Sequence, residues 1–279
     1  MTQIAPEQQS RVLSVKDQRP DAPGTIDLLG VPIHAFTEAQ CVAYILDRLE
    51  SGIGGWVITH NLDHLRRLHR DATFQSLCND ASIRVADGAP LLWAGWMQGT
   101  PFPDRVAGSN LISSLSTQAA KRGRSIYLLG GAPHAAEGAA AVLQTRCPDL
   151  VVAGTHCPPH GFDRNQESVK WIEQQLQSAE PDIVYVALGS PRQEQLIAAI
   201  RHVLPNAWWI GVGISFSFLS GDVKRAPRWM QACGLEWAHR LAQEPNRLWR
   251  RYLIDGVPFA IRLLASCAAR RMIGTARRM

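Results

Sequence analysis

Short apolar runs alternate with longer amphipathic segments along residues 25–223. Seven apolar runs have the length of strands: 26–29, 56–59, 83–86, 125–129, 150–153, 183–188 and 208–212. Apolar side chains fill consecutive positions in these runs, which predicts strands that are covered on both faces. Regular alternation of such strands with helices predicts an α/β fold with a mostly parallel sheet.

The amphipathic segments between these runs predict helices. Thr37 is placed to cap a helix over 38–49, in which Val42, Ile45 and Leu46 share one face. Asn61 is placed to cap a second helix that runs through Leu68. Four further segments show the same helical pattern: 109–121, 133–144, 166–177 and 191–203.

The pattern changes after Gly221, where successive helical segments are separated by Pro227, Pro245 and Pro258. The chain is therefore predicted to have three parts. Residues 1–24 are polar, lack the apolar centre of a signal peptide, and are expected to form a disordered leader. Residues 25–223 form the α/β core, and residues 224–279 form a helical appendage.

Composition narrows the class of protein. No uninterrupted apolar run reaches 18 residues, so no membrane-spanning helix is expected. The six cysteines are scattered and form no CxxC pair. Such cysteines are typical of reduced thiols in a cytoplasmic protein.

Charge is distributed unevenly along the chain. Residues 224–279 carry a formal net charge of +9, whereas residues 1–223 carry −4. A basic segment of this density indicates an anionic partner, which could be nucleic acid, a phosphorylated substrate or acidic lipid; a solvated charged face is the alternative. Because tryptophans and apolar residues recur there at helical spacing, the segment favours a membrane surface over nucleic acid.

Small and polar residues are concentrated where the predicted strands end. They occupy five positions in the chain: Thr59-His60-Asn61, Asp87-Gly88, Gly130-Gly131, 189–194 and Gly213. Ligands of open α/β sheets bind at the carboxyl ends of the strands, and glycines there let backbone N–H groups approach phosphate. The pattern indicates a nucleotide site, although neither the GxGxxG fingerprint nor a P-loop is present.

Other kinds of site are less well supported. The segment 156–160 contains His156, Cys157 and His160, but its two prolines exclude a helical ligand pair and no second cluster completes a tetrahedral set. His60 and His64 flank Asp63 at helical spacing, which is more typical of core or surface histidines than of catalytic ones. No metal site is predicted.

Asp87 is the strongest catalytic candidate. It ends a buried strand, and Gly88 and a helix that begins with Leu91, Leu92 and Trp93 follow it. Partial desolvation in this setting is expected to raise the pKa of the carboxyl group toward the range of a general base. The alternative is that Asp87 caps the helix that starts near residue 89.

A set of motifs gives the chain a family resemblance. In chain order these are TxNxDHL (59–65), VADGAP (85–90), GTPFPDRVAGSNL (99–111), LLGG (128–131), PDIVYVALGSPRQE (181–194), GVG (211–213), RAPRW (225–229), EW (236–237) and R-x₃-EP-x-R-x₂-RRY (240–252). The set resembles the WecG/TagA/CpsF glycosyltransferase family (glycosyltransferase family 26) over residues 25–260.

The resemblance implies a fold and an activity. The family fold is a Rossmann-like α/β core with a C-terminal appendage that docks on membrane. Family members transfer a sugar, often N-acetylmannosamine, from a nucleotide diphosphate donor such as a UDP-sugar to a polyprenyl-diphosphate-linked saccharide. They act at the inner face of the cytoplasmic membrane in bacterial surface-polymer synthesis, invert the anomeric centre and are expected to need no metal or other cofactor.

The resemblance also assigns roles to individual residues. Asp87 would be the base, and Arg105 would hold a phosphate or developing negative charge, unless it is an ion-paired loop residue. Thr59 and Asn61 would line the donor pocket. The remaining substrate-binding candidates are Gly130, Gly131, Gly189, Gln193, Arg240, Arg247 and Arg251.

These last candidates have different roles. The three glycines would let the backbone approach the nucleotide, and Gln193 would hydrogen-bond the sugar unless it is a surface residue at a helix start. Arg240, Arg247 and Arg251, predicted to share a helix face despite Pro245, would neutralise the leaving diphosphate. The more distal arginines are predicted to meet anionic lipid: Arg262, Arg270, Arg271, Arg277 and Arg278.

One departure leaves the donor sugar open. Family members often carry glycine and aspartate where this chain has Ile214 and Ser217. Glucose or a uronic acid therefore stays an alternative to N-acetylmannosamine, and the oligomeric state, a homo-oligomer included, stays open. Two rival functions are a non-catalytic nucleotide-binding module on membrane and an NAD-dependent oxidoreductase, which the missing GxGxxG fingerprint disfavours.

Overall fold

The computed structural model describes residues 22–276, with side chains through residue 273. Most of the predicted leader (1–21) and the last two predicted lipid-binding arginines, Arg277 and Arg278, lie outside the described residues.

The described chain begins with a hairpin that stands apart from the main sheet. Strands β1 (Thr25–Leu28) and β2 (Val31–His34) pair antiparallel as a sheet of two strands. Leu29 and Gly30 form the turn with positive φ, which suits a two-residue hairpin loop. The run 26–29 is therefore a strand, but its expected place in the parallel sheet is wrong. Because Pro32 interrupts the apolar pattern of β2, the sequence did not predict this second strand, with which β1 pairs.

Six strands form the core sheet in the order β4-β3-β8-β7-β5-β6, and every neighbouring pair is parallel. The predicted α/β fold with a parallel sheet is confirmed. The strands are β3 (Gly55–His60), β4 (Ile83–Ala86), β5 (Ser125–Gly130), β6 (Val151–His156), β7 (Ile183–Ala187) and β8 (Trp208–Gly211).

Within residues 22–223, nine α-helices precede the appendage. They are α1 (Glu38–Glu50), α2 (Leu62–Leu68), α3 (Ala72–Asn79), α4 (Ala89–Gln98), α5 (Gly108–Lys121), α6 (Ala135–Arg146), α7 (Gln166–Ala179), α8 (Arg192–Ile200) and α9 (Ser215–Ser220). Residues of α1, α5, α6 and α9 form one apolar cluster against the sheet, and those of α2, α3, α4, α7 and α8 form another. Both faces of the sheet are covered, which explains why its strands are apolar at consecutive positions.

Local sequence signals set several helix starts. The Thr37 hydroxyl oxygen accepts a hydrogen bond from the Gln40 backbone N–H, and the Thr37 backbone N–H donates one to Gln40 Oε1, which completes a capping box for α1. Asn61 accepts from the His64 N–H and caps α2. Both predicted caps are confirmed.

The appendage is helical and packs on the core. It comprises α10 (Arg228–Ala232), α11 (Glu236–Gln243), α12 (Pro245–Trp249), a π-helical segment (Arg250–Gly256) and α13 (Val257–Ala276). Phe259, Leu263 and Cys267 of α13 are buried in the same apolar cluster as Leu91 and Ala94 of α4. The described chain after residue 223 is helical, and α13 shares the packing of the core; the domain boundary at residue 223 stays a prediction.

In the part of the chain that the structure describes, one helical stretch has the length and composition needed to cross a membrane. It spans Pro245–Ile273 and has a mean hydropathy of 1.4 over its most apolar window, with 22% of that window buried. The sequence analysis predicted no such helix because it looked for an uninterrupted apolar run. This stretch contains arginines but is apolar on average. Because one side of α13 packs on α4, the stretch is anchored along the surface of the core.

Candidate active site

The N-terminus of α5 lies across the carboxyl ends of β3 and β8. A Cβ on Gly108 would stand 3.4 Å from Thr59 Oγ1 and 3.3 Å from the Gly211 carbonyl oxygen, closer than most side chains tolerate. Glycine at this position lets the first turn of α5 approach both strand ends. The site is thus built where the backbone N–H groups of a 14-residue helix face the edge of the sheet.

Asp87 lies directly after β4 at this edge and is partly buried. Its backbone N–H donates to the His60 carbonyl oxygen at 2.7 Å, which ties it to β3. The Gly108 N–H at the start of α5 acts on its carboxylate and lowers the pKa of that group. The N-cap of α4 is Gly88, at φ +95°, with no side-chain cap, so the alternative that Asp87 caps α4 is wrong.

Burial raises the pKa of the Asp87 carboxyl group to about 6, from an ordinary value of 3.8. That value is the net result, since the Glu236 carboxylate also raises the pKa, whereas Arg105, Arg225 and the Gly108 N–H lower it. The group is therefore mainly ionised at neutral pH but holds a proton more strongly than a solvated aspartate, which suits a general base.

Arg105 is held beside Asp87 by its loop and by the appendage. The Val106 N–H donates to the Ala86 carbonyl oxygen at 2.9 Å, so the loop is fastened to the end of β4. Arg105 Nη1 lies 3.2 Å from Glu236 Oε2, and Arg225 Nε lies 3.2 Å from Glu236 Oε1. Arg105 is thus both a neighbour of Asp87 and an ion-paired residue.

Thr59 and Asn61 lie at the same edge. Thr59 is buried in β3, with its hydroxyl oxygen directed toward the start of α5. Asn61 follows the strand and uses its carbonyl oxygen as the cap of α2. The structure thus places both residues on strand β3 or at its end, next to the strand that leads to Asp87.

Gln193 is buried, with 5% of its surface exposed. The alternative interpretation, that it lies on the surface at a helix start, is therefore wrong. Its Nε2 donates to Glu194 Oε1 at 2.8 Å, and its Oε1 accepts from the Gly213 N–H at 3.1 Å. Gln193 therefore holds the turn after β8, and its role as a sugar ligand stays a prediction.

The three candidate glycines differ in what they require of the structure. Gly130 has φ +98°, and a Cβ there would stand 2.9 Å from the Ala187 carbonyl oxygen. Gly131 has φ +93° and would meet the Phe216 ring at 3.1 Å. Gly189 also has positive φ but faces open space. Packing alone explains the first two, while Gly189 leaves the backbone accessible before α8.

The three appendage arginines of the prediction do not share one helix face. Glu244 leaves helical geometry before Pro245, so Arg240 lies on α11, Arg247 on α12 and Arg251 on the π-helical segment. Arg247 pairs with Glu244, and Arg251 Nη2 lies 3.0 Å from Asp63 Oδ2. The cations that act on Asp87 are instead Arg105 and Arg225.

Arg225 and Glu236 are therefore site residues to which the sequence assigned no role. Both occur in motifs that contribute to the family resemblance, RAPRW and EW. A motif indicates that a residue matters, but not which partner it meets. Glu236 and Arg105 are 131 residues apart, so only the fold shows that they touch.

A large cleft opens next to this cluster. It has a volume of about 1250 Å³ and is lined mainly by α1, α4, α5 and the loop 102–105 of the core, together with residues 231–234 of the appendage. Arg105 lines it together with Trp93 of α4, Asn110 of α5 and Gln231 of α10. A ligand that occupied the cleft would contact Arg105.

A second buried polar group lies on the other face of β3. His60 and His64 are buried with ring centroids 5.8 Å apart, and His64 Nε2 lies 3.8 Å from Glu194 Oε1. Burial lowers the pKa of both histidines. Within residues 22–273, no three His, Cys, Asp or Glu side chains are grouped as metal ligands, and His156 instead stacks near Trp171.

The chain is similar to known proteins over most of its length. A family model described as "Glycosyl transferase WecG/TagA/CpsF family" matches residues 26–272. Two curated relatives share the name N-acetylglucosaminyldiphosphoundecaprenol N-acetyl-beta-D-mannosaminyltransferase. The relative from Bacillus spizizenii is 30% identical over 205 residues, which cover 74% of this chain and 77% of the relative. The relative from Bacillus subtilis is 31% identical with the same coverage.

Proposed function

The chain belongs to the WecG/TagA/CpsF family of glycosyltransferases, and from this we propose that it moves a sugar from a UDP-sugar to a polyprenyl-diphosphate-linked saccharide. The names of the two Bacillus relatives specify an acceptor of this kind. The observation that carries the proposal is Asp87, a carboxyl group with a raised pKa that two arginines and a helix N-terminus surround. A module that only bound nucleotide would have less need of such a base.

The residues support one chemical step. Ionised Asp87 accepts the proton of the acceptor hydroxyl as its oxygen bonds to the anomeric carbon of the donor sugar. The bond from that carbon to the diphosphate oxygen breaks, and UDP leaves with the bonding electrons. Attack opposite to the leaving group inverts the anomeric centre. Arg105 and Arg225 are placed to stabilise negative charge near this centre.

The same arginines support transfer without a metal ion. Guanidinium groups bind phosphate oxygens in a planar fork and keep their charge at any physiological pH. We therefore expect an unchanged transfer rate in excess EDTA. A rate that EDTA abolishes and that only a divalent ion restores would contradict metal independence.

The donor sugar remains to be selected from a panel. Ser217, where relatives often have aspartate, is buried in α9, which packs beside Gly131 through Phe216. A changed wall near the β5 strand end would alter which sugar fits. UDP-linked N-acetylmannosamine, glucose and a uronic acid are the donors to compare.

We further propose that the enzyme works as a peripheral protein on the inner face of the cytoplasmic membrane. An exposed apolar stripe runs along the appendage and consists of Trp249, Leu253, Ile254, Val257 and Ile261. Arg250 and Arg262 are exposed beside it. An apolar face bordered by arginine is suited to an anionic membrane, where the lipid-linked acceptor lies.

The direct test is a transfer assay with purified full-length protein, the donor panel and a short-chain polyprenyl-diphosphate saccharide. Wild type is expected to use one donor, and Asp87→Asn is expected to lose at least about 100-fold in kcat with UDP binding retained. Asp80→Asn is the matched control, since Asp80 is an exposed carboxylate that pairs with Arg201 far from the site.

Two outcomes would contradict the proposal. Full activity of Asp87→Asn would remove Asp87 as the base. UDP binding without transfer from any donor to any lipid-linked acceptor would favour a non-catalytic nucleotide-binding module on membrane.

A further inference from the structure

We propose that Glu236 is a positioning residue for the transfer step, because its carboxylate holds Arg105 of the core and Arg225 of the appendage together beside Asp87. The catalytic role of Glu236 rests on the proposed function. Its effect on the charge of Asp87 can be tested whether or not the protein transfers a sugar.

The geometry of the bridge is specific. Each carboxylate oxygen of Glu236 pairs with one arginine. Oε2 lies 3.2 Å from Arg105 Nη1, and Oε1 lies 3.2 Å from Arg225 Nε. The side chains of Arg105 and Glu236 are 18% exposed and that of Arg225 is 22% exposed. Water therefore screens these pairs less than it would at a fully exposed site.

The bridge leaves donor capacity on the appendage side. Arg225 Nη2 is buried and has no hydrogen-bond partner among the described residues. A buried donor without a partner is costly, so Nη2 is suited to donate a hydrogen bond to a ligand oxygen in the bound state. Glu236 uses only the Nε of this guanidinium, which keeps Nη2 available to the site.

The four side chains balance in charge. With Asp87 ionised, two carboxylates face two guanidinium groups. Removing the Glu236 charge leaves an excess positive charge that favours ionised Asp87 and makes it a weaker base. Removing Arg225 leaves an excess negative charge with the opposite effect. Glu236 therefore keeps the arginines near the leaving group without weakening the base.

The bridge also connects two parts of the chain. Glu236 is the first residue of α11, and Arg225 precedes α10, whereas Arg105 and Asp87 belong to the core. Of these contacts, the Glu236–Arg105 pair joins appendage and core directly at the catalytic centre. In Glu236→Gln the side chain keeps its size and one oxygen, so Arg105 is expected to stay beside Asp87 with a positive charge that is no longer offset.

The first experiment is a direct titration of Asp87 in the full-length protein. The carboxyl carbon of ¹³C-labelled aspartate is followed by NMR, and Asp87→Asn identifies its signal. Glu236→Gln is expected to lower the pKa of Asp87 by about half a unit or more, and Arg225→Met to raise it by a similar amount. A general loss of folding cannot shift the same signal in opposite directions.

The second experiment measures transfer against pH. In Glu236→Gln the acidic limb of kcat/KM should move to lower pH, and kcat should fall about tenfold with the donor KM within about threefold of wild type. Glu50→Gln is the control, because Glu50 also pairs with an arginine, Arg122, at 3.0 Å on α1, away from Asp87. It should leave both the limb and kcat unchanged.

The results separate the two hypotheses. An unchanged pKa of Asp87 in folded Glu236→Gln, or an unchanged kcat and acidic limb, would overturn the role of Glu236. Absence of transfer by wild type would instead overturn the proposed function. In that case the NMR titration still decides whether Glu236 governs the charge of Asp87.

Discussion

Asp87 takes its chemical character from opposing effects of its neighbours. Burial is the largest effect and raises the pKa, Glu236 adds to it, and two arginines and the Gly108 N–H act against it. The balance near 6 means that the ionised form is unfavourable in the folded protein relative to the unfolded chain. Ionised Asp87 should therefore reduce the stability of the folded protein.

We expect Asp87→Asn to raise the free energy of unfolding at pH 7.5 by about 1–3 kcal/mol while it abolishes transfer. The folded pKa of about 6 lies above the ordinary 3.8, so the favourable contribution of Asp87 exists below 3.8 and is lost as pH rises through 6. The gain should accordingly shrink to roughly half by pH 5. Urea unfolding at several pH values measures it.

Asp63 provides a control, because its pKa is shifted in the opposite direction and its substitution should change stability with the opposite sign. Burial raises its pKa, but Arg251 and Arg66 outweigh this and leave the pKa lowered. Its contribution to stability is present above the ordinary pKa and lost as pH falls through the folded value. Asp63→Asn should therefore destabilise the protein at pH 7.5. A destabilised Asp87→Asn would show that the Gly108 contact matters more than desolvation.

At the scale of elements, helix starts arrange the site. Asn61 begins α2 directly after β3, Gly108 begins α5 over the ends of β3 and β8, and Gly88 begins α4 directly after Asp87. Each start turns the chain away from the sheet edge and leaves polar groups there. A side chain at such a helix start, such as that of Asn61, can therefore both cap the helix and contact a substrate.

We expect Asn61→Ala and Asn165→Ala each to lower the free energy of unfolding by about 1 kcal/mol, since each asparagine caps a helix. Asn165 caps α7, away from Asp87. Only Asn61→Ala should also raise the KM for the UDP-sugar. Urea unfolding and donor titration separate the two effects, and equal donor KM values in both variants would limit Asn61 to capping.

At the scale of the whole molecule, the appendage has one face packed on the core and one exposed apolar face. Phe259, Leu263 and Cys267 anchor α13 on the core, while the apolar stripe on the opposite side is exposed. Arg270 adds an ion pair to Asp27 of the hairpin. The helix is thereby held in place with its stripe outward, which favours lying on a membrane over crossing it.

We expect the full-length protein to bind vesicles that contain phosphatidylglycerol, and high salt to weaken the binding. The double variant Ile254→Ser, Ile261→Ser should lose at least about tenfold in affinity, because it removes two apolar side chains from the stripe. Trp171→Ala is the control, since Trp171 is an exposed apolar residue on α7. Sedimentation with vesicles measures binding, and equal binding by all three proteins would contradict the stripe as the contact.

The sequence by itself determined the parallel α/β core, the caps of α1 and α2, and the position of Asp87 at a strand end. These features depend on short-range causes: side-chain periodicity, hydrogen bonds between residues three apart, and the rule that parallel strands end at one edge. The family resemblance, carried by motifs in order, is likewise a property of the sequence.

Only the tertiary structure decided which distant residues meet. The separate β1–β2 hairpin, the burial of Gln193, the dispersal of Arg240, Arg247 and Arg251, and the bridge from Arg105 through Glu236 to Arg225 all depend on strand order and packing. Local periodicity states which side of an element is apolar but not which element will cover it. The residues that set the charge around Asp87 are therefore visible only when the appendage is folded onto the core.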